Sequence, residues 1–295
     1  MNTPQALGHS CPWPAPGKLN LFLHIVGRRS DGYHLLQTAF QFIDLCDELS
    51  FWHRADGVIE RVGEVTGVPA DADLALRAAR VLAAQHGVRA GVGIGLRKRL
   101  PVQGGVGGGS SDAATVLVAL NRLWRLDLSV EALAALGLGL GADVPVFVRG
   151  QAAWAEGVGE QLTPADFPAP IYVLVQPDAT VTTAELFQAT ELTRDSPVIT
   201  MTGFLTTGGR NDFEPVVRRR YPAVAEALDW LGRVAPARLT GTGSCVYAAM
   251  PDERTARETL ARLPVRWRGD VVRGLNRSPL LERVRLEEAQ AGVAR

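Results

Sequence analysis

Residues 101–112 read PVQGGVGGGSSD: five glycines, then two hydroxyls and a carboxylate. An apolar segment, AATVLVALNRLW over 113–124, follows at once, with Val116, Leu117, Leu120, Leu123 and Trp124 at helical spacing. The spacing predicts a helix over 113–124 that is entered from a glycine loop. Ser110, Ser111 and Asp112 are each candidates to cap it, because each accepts a hydrogen bond from a first-turn N–H. Free N–H groups and the helix dipole favour an anion at such an end, and glycine lets the ligand approach the backbone closely. A flexible linker has a similar composition, but linkers do not usually open straight onto an apolar helix. The common phosphate motifs fail. GxxxxGK[ST] from Gly104 needs a lysine where Ser110 stands, and GxGxxG from Gly105 needs a glycine there. The stretch therefore reads as a phosphate loop of a third kind.

The chain has 295 residues, 46% of them hydrophobic, enough for one large domain or two ordinary ones. Its 31 basic and 31 acidic residues cancel, so net charge makes no case for nucleic acid or an anionic membrane as partner. The densest basic run, Arg218 to Arg220, reads as a solvated face. Every apolar run is interrupted before it reaches bilayer length, so no membrane association is expected. The opening MNTPQALGHSCPWPAP has neither the basic start nor the apolar core of a secretory signal and reads as a loosely attached lead-in. Cys11, Cys46 and Cys245 are an odd number without metal-like spacing, which fits a reducing, cytoplasmic setting; Cys46 and Cys245 lie in apolar segments and read as buried thiols.

In order, residues 17–26 alternate Leu19, Leu21, Leu23 and Ile25 with Lys18, Asn20 and His24, a strand with one buried face. A turn follows at 27–32, then strand-like segments at 35–49 and 51–65. Helices are expected at 71–86, ended by Gly87, and at 129–136, capped by Ser129 with Glu131 in its first turn. Residues 91–100 read as a strand, and Asp143 precedes what reads as a valine-rich strand. Glycines and prolines over 150–170 suggest a boundary, dividing the chain into 1–159 and 160–295. Further strands are expected at 171–176, in 238–250 after a glycine turn, and at 271–275. Helices are expected at 184–189, 211–217, 224–230 and 253–263, an irregular loop at 196–210, and a loose charged helix from residue 281. Strands with helices appended and little regular βαβ alternation indicate an α+β chain with two layers in each of two domains.

Lys18 lies inside an apolar strand. Either its stem covers the core rim or its cation is aimed at a phosphate or a carboxylate. Asp143, between Gly141 and Pro145, is either a turn carboxylate or a general base. Asp112 reads as a cap.

GGVGGGSSDAA at 104–114 resembles the signature of the GHMP kinases, named for galactokinase, homoserine kinase, mevalonate kinase and phosphomevalonate kinase. APGKLNLFLHIVGRRSDGYHLLQT at 15–38, GADVPVF at 141–147 and NDFEPVV at 211–217 resemble the branch of that family acting on a cytidine diphosphate-linked methylerythritol. The resemblance spans about 15–275, and DGYH is its most discriminating part. It implies a two-domain GHMP kinase fold, with an N-terminal nucleotide-binding domain like ribosomal protein S5 domain 2 and a ferredoxin-like C-terminal domain on the substrate side. It implies ATP-dependent phosphorylation of the 2-hydroxyl, with Asp143 as base and Lys18 stabilising charge on the transferring group. The ATP phosphates would lie on Pro101, Val102, Gln103, Gly104, Gly105, Val106, Gly107, Gly108, Gly109, Ser110 and Ser111, with Lys98 beside the nucleotide. Mg²⁺ is implied with ATP; Ser110 or Ser111 is a candidate ligand, and no full metal site can be read. On the substrate side, Tyr33 would stack on the cytosine, His34 would hydrogen-bond its edge, and Asn20 would lie near the diphosphate. Thr240, Gly241, Thr242, Gly243 and Ser244 would close over the substrate phosphates. Asp73 stands where the family often has asparagine, and Thr240 where serine is more usual. Rival readings are a homoserine or mevalonate kinase and a nucleotide-binding protein without catalysis. Monomer and homodimer remain open.

Overall fold

The structure is a computed structural model that describes residues 12–64, 69 and 72–293. Cys11 and the lead-in before residue 12, Val65 of the expected second strand segment and Asp71 of the first helix lie outside the described residues. The first two strands, β1 (Trp13–Arg28) and β2 (His34–Arg54), form a long antiparallel hairpin. The lead-in is shorter than the sequence suggests, because Trp13 to Pro16 already belong to β1 and Trp13 is 2% exposed. Nor does β1 bury one face only. Lys18, Asn20 and His24 are as buried as Leu19, Leu23 and Ile25. Register shifts between Asn20 and Leu23 and between Ile25 and Gly27 break the alternation. They send Leu19, Phe22 and Leu23 into three different apolar clusters.

After β2 come β3 (Ile59–Val62), α1 (Leu74–Gln85), β4 (Gly91–Arg97), α2 (Gly108–Leu123), α3 (Val130–Leu138), α4 (Val144–Arg149), β5 (Ala153–Glu156) and β6 (Gln161–Pro164). The second half holds β7 (Ile171–Gln176), α5 (Thr183–Gln188), α6 (Met201–Thr207), α7 (Glu214–Arg220), α8 (Pro222–Gly232), β8 (Ala237–Leu239), β9 (Val246–Met250), α9 (Glu253–Leu260), β10 (Arg268–Leu275) and α10 (Pro279–Val293). The sheet runs β3-β4-β2-β10-β7-β9-β8, and β2 also pairs with β1 and β5. One core lies between α1, α2 and β2, with Leu82, Ile94, Leu117 and Phe147 at its centre. Each such buried side chain contributes roughly 1.5–3 kcal/mol. A second core, around Val173, Phe213, Leu228 and Val246, serves the β7–β9 half. Leu19, Ile43, Leu100, Leu174 and Tyr247 fill the junction. The last helix returns to the first half. Leu280 joins the first core, and the Arg283 guanidinium lies 4.7 Å from the Trp13 ring.

Four local expectations are corrected. The helix after the glycine loop begins at Gly108, so Ser110, Ser111 and Asp112 lie inside it and none caps it. Its cap is Gly107, left-handed at φ +73°, a conformation glycine adopts without penalty. The valine run after Asp143 is the short helix α4, because Pro145 sits in its first turn and its residues pack inward against α2 and α3. Residues 196–210 are not wholly irregular, since Thr200 caps α6 by accepting from Gly203 N. In α1 the cap is Asp73, which accepts from Ala75 N at 2.9 Å and pairs with Arg61 at 3.3 Å. Ser129 caps α3 as the sequence suggests.

Candidate active site

The glycine loop closes directly over β1. Lys18 N donates to the Val106 carbonyl at 2.9 Å. A Cβ on Gly107 would lie 2.8 Å from the Phe147 ring and 3.2 Å from Lys18 Cε, so only glycine lets the loop pass so close. Lys18 is 3% exposed. Its ammonium donates to Asn20 Oδ1 at 2.5 Å, pairs with Asp143 Oδ2 at 3.3 Å and lies 5.3 Å from the centre of the Phe40 ring. The Lys18 ammonium is thus buried and turned to the Asp143 carboxylate rather than out to water. Asn20 is fixed in turn, since its Nδ2 donates to Thr38 Oγ1 at 3.0 Å and its carbonyl accepts from Tyr247 OH at 2.9 Å. Asp143 ends the turn before α4, and its side chain is 32% exposed, so the carboxylate meets both the buried ammonium and solvent.

The loop at 240–244 packs on the glycine loop, backbone against backbone. Thr240 Oγ1 accepts from Asn20 N at 3.0 Å and donates to the Gly105 carbonyl at 3.2 Å. Cys245 N donates to the Gly104 carbonyl at 3.1 Å, and Ser244 N to that of Gln103 at 3.4 Å. Asn211, from the NDFEPVV segment, holds the loop from behind by donating to the Leu239 and Gly241 carbonyls at 3.0 and 2.8 Å. Lys18, Asn20, Asp143, residues 103–107 and residues 240–244 are thus one connected assembly. Pro101 is half-buried, Val102 and Gln103 are exposed, and Gly108, Gly109 and Ser110 form the first turn of α2. The N–H groups of such a turn have no intrahelical partners and suit an anion.

Lys98 is committed elsewhere. Its ammonium lies between two buried carboxylates, 2.5 Å from Asp47 and 2.8 Å from Asp112. Asp47 also accepts from Arg99 N and Leu100 N at 2.6 and 2.8 Å. Burial pushes the Asp112 carboxyl up, opposed by Lys98 and helped by Asp47. Burial pulls Lys98 down, but its two carboxylates outweigh this and leave it raised. Lys98 therefore pins the start of α2 to β2, with its head 3.2 Å from where a Gly108 Cβ would sit.

Tyr33 and His34 lie at the far end of the β1–β2 hairpin, where Arg28 pairs with His34. Tyr33 is 65% exposed, whereas His34 is buried and stacks on Phe187 at 4.9 Å and 27°. The same short helix reaches the 240–244 loop, since Thr183 and Thr242 share a hydroxyl–hydroxyl hydrogen bond of 2.8 Å. Thr183 and Phe187 are four residues apart, about 6 Å along the axis, so α5 ties the hairpin end that bears His34 to the 240–244 loop. The sequence reading missed Thr183, Phe187 and Arg194. A short helix with one half-buried aromatic carries no periodic signal, and Arg194 is one of many scattered arginines. Among the described residues no group of three or more His, Cys, Asp or Glu side chains converges on a metal position. Ser110 Oγ lies 3.6 Å from where a Gly141 Cβ would sit, on the Asp143 side, and Ser111 Oγ is buried without a hydrogen-bond partner.

The arrangement holds a cation, a solvent-reaching carboxylate and a row of backbone donors together, which suits transfer of an anionic group to a hydroxyl. Comparison with known proteins agrees. Residues 73–151 match the GHMP kinases N terminal domain and residues 202–268 the GHMP kinases C terminal domain. A 4-diphosphocytidyl-2-C-methyl-D-erythritol kinase of Nitrosococcus oceani is 57% identical over 270 residues, 92% of this chain and 96% of that one. A crystal structure of 4-(cytidine 5'-diphospho)-2C-methyl-D-erythritol kinase superposes with a TM-score of 0.78 at 31% identity, over 89% of this chain and 98% of that one. A mevalonate kinase at 17% identity and a TM-score of 0.68 shares the fold over 90% of this chain and 100% of its own. With the two-domain α+β fold, the glycine loop and these matches in place, the chain is a small-molecule kinase and belongs to the 4-diphosphocytidyl-2-C-methyl-D-erythritol kinases, within the GHMP kinase family.

Proposed function

We propose that the chain transfers the γ-phosphoryl group of ATP to the 2-hydroxyl of 4-diphosphocytidyl-2-C-methyl-D-erythritol, in the non-mevalonate route to isoprenoid precursors. The observation that carries this reading is the 3.3 Å pair of Lys18 and Asp143 directly under the glycine loop. Phosphoryl transfer needs little covalent help from protein; it needs alignment and charge stabilisation. Asp143 takes the proton of the attacking hydroxyl. Lys18 has three N–H donors, of which Asn20 and Asp143 take two, and the third serves a phosphoryl oxygen. Residues 101–111 wrap the ATP phosphates, with Lys98 acting through its hold on α2. Magnesium, when bound with ATP, neutralises phosphate charge; it keeps most of its own waters, so the single hydroxyl of Ser110 beside the Asp143 turn suffices as a protein ligand, and buried Ser111 is second choice. Tyr33 and His34 take the cytosine, Asn20 and residues 240–244 the substrate phosphates.

The proposal keeps a nucleotide-side unit at 1–159 and a substrate-side unit at 160–295. β6, which pairs with β5, and α10, which packs on β1, cross back to the first unit. The enzyme works in the cytoplasm, as monomer or homodimer. A coupled assay offering the cytidine-linked substrate, homoserine and mevalonate in turn tests the acceptor; turnover of another alcohol but not of the cytidine-linked one refutes it. Asp143→Asn tests the base, with a loss of kcat on the order of a hundredfold or more expected. A rate within several-fold of the parent removes Asp143 from that role.

A further inference from the structure

Arg194 lies outside every group of residues that the sequence reading placed in the site, yet its guanidinium is almost wholly engaged there. Nε donates to His34 Nε2 at 3.1 Å, and Nη1 to the Leu192 carbonyl at 3.0 Å. Nη2 donates to the carbonyls of Phe187 and Ala189 at 3.0 and 2.7 Å. Those carbonyls lie at the end of α5 and in the turn after it, where the last helix carbonyls lack intrahelical partners; that of Ala189 also accepts from Leu192 N at 3.2 Å. A guanidinium donates and never accepts. The nitrogen that accepts from it carries no proton, so Nε2 is the bare nitrogen and the neutral His34 ring keeps its proton on Nδ1. The ring is buried and stacked on Phe187; turning it over keeps that stack but puts a ring C–H where Nε2 accepts from Arg194. Among the described residues, the bond from Arg194 is the ring's one hydrogen bond.

We propose that Arg194 is a positioning residue for nucleobase recognition. It locks His34 in the Nδ1–H tautomer, so that the ring can only donate, and only to an acceptor atom on the base. This inference rests on the substrate reading above. Cytosine offers acceptors at ring N3 and O2, whereas uracil carries a proton on N3, so a fixed donor meeting N3 favours cytosine. A site built around a particular hydrogen bond rejects the ligand that cannot make it. The surrounding charges agree. Burial holds His34 below the usual imidazole range, and the cations of Arg194, after α5, and Arg28, at the end of β1, add to it. Those two arginines are the charged groups facing the ring, which is therefore neutral at neutral pH.

The full chain serves for the test. Long-range ¹H–¹⁵N correlation of the histidine rings reads the tautomer in the unsubstituted protein, and Nε2 should be the bare nitrogen at neutral pH. A proton on Nε2 overturns the proposal, whatever the substrate. Arg194→Met keeps the stem and removes the donors. It should raise KM for the cytidine-linked acceptor on the order of tenfold, the value of one hydrogen bond, with kcat and KM for ATP little changed. This defect should shrink as pH falls from roughly 8 to 6, because an imidazolium donates from both nitrogens and regains the lost donor. A defect independent of pH, or shared equally with ATP, marks a merely structural role and overturns the proposal. Should Arg194→Met not fold, the tautomer measured in the parent decides. A parent that does not turn over the cytidine-linked acceptor refutes the substrate reading instead, and the tautomer result stands apart from it.

Discussion

Gly105→Ala tests whether the glycine loop and the 240–244 loop work as one piece. Gly105 sits at φ +76°, where a side chain costs about 1–2 kcal/mol of backbone strain. The new methyl would lie 2.2 Å from the Thr240 carbonyl oxygen and 3.1 Å from that of Gly243. Ordinary contact begins at 3.4 Å, so the first of these demands 3.4 − 2.2, or 1.2 Å, of separation between two backbones. Overpacking of this kind costs about 1–3 kcal/mol. Together the two terms predict a loss of roughly 2–5 kcal/mol, read from the midpoint of urea unfolding. The displacement also pulls on the bonds from Thr240 to Asn20 and Gly105, one step from Lys18. A misplacement of that size should lower kcat/KM by about a hundredfold in a coupled kinase assay. Gly109→Ala is the matched control. Its φ is not positive and its Cβ would meet only Leu74 Cδ1 at 3.6 Å, so stability should rise by about 0.5–1 kcal/mol. If Gly105→Ala unfolds within about 1 kcal/mol of the parent and keeps its kcat/KM, the interlocking of the two loops is refuted.

Lys98→Met strips Asp47 and Asp112 of their shared cation and should destabilise the fold by roughly 3–5 kcal/mol in thermal or urea unfolding. Lys98→Arg, with a different head shape, should recover only part of that. Burial holds His24 below its ordinary value of 6.5, against the pull of Asp212. The unfolded chain therefore takes up a proton near pH 6.5 that the folded imidazole refuses, and stability falls as pH drops below that value. His24→Gln should flatten that part of the stability–pH curve, and an unchanged slope would remove His24 from the account. Burial pushes the Cys46 thiol up to about 12 and Cys245 higher still, so neither should react with iodoacetamide in the native protein near pH 8.

What the sequence makes legible is local chemistry. The glycine loop, the Ser129 cap and the strand at 171–176 each carry their signal within a few residues, and the structure has all three. What it hides is decided by distant neighbours. Glycine's poor helix propensity argues for a helix starting at 113. The first turn forms at 108 because Lys98 and Leu100 pack against Gly108 from a preceding strand end. The valines of α4 favour a strand on propensity, and six residues are too few for a helical period to show against it. Lys18 is ambiguous in sequence because its partner Asp143, 3.3 Å away in space, lies 125 residues further along the chain. Arg194 and Phe187 become visible only when α5 is laid against the hairpin end that bears His34.

The return of α10 to β1 sets a condition on synthesis. Trp13 is among the first residues of the fold to leave the ribosome, and the guanidinium that lies over it belongs to Arg283. Leu280 fills the same core as Phe42 and Phe147, and a Cβ on Gly150 would already touch Leu281 at 2.6 Å. The first core therefore lacks Leu280 until α10 has been made. Until then the Trp13 side of that core is uncovered, and apolar surface left open in a partly folded chain favours aggregation and proteolysis.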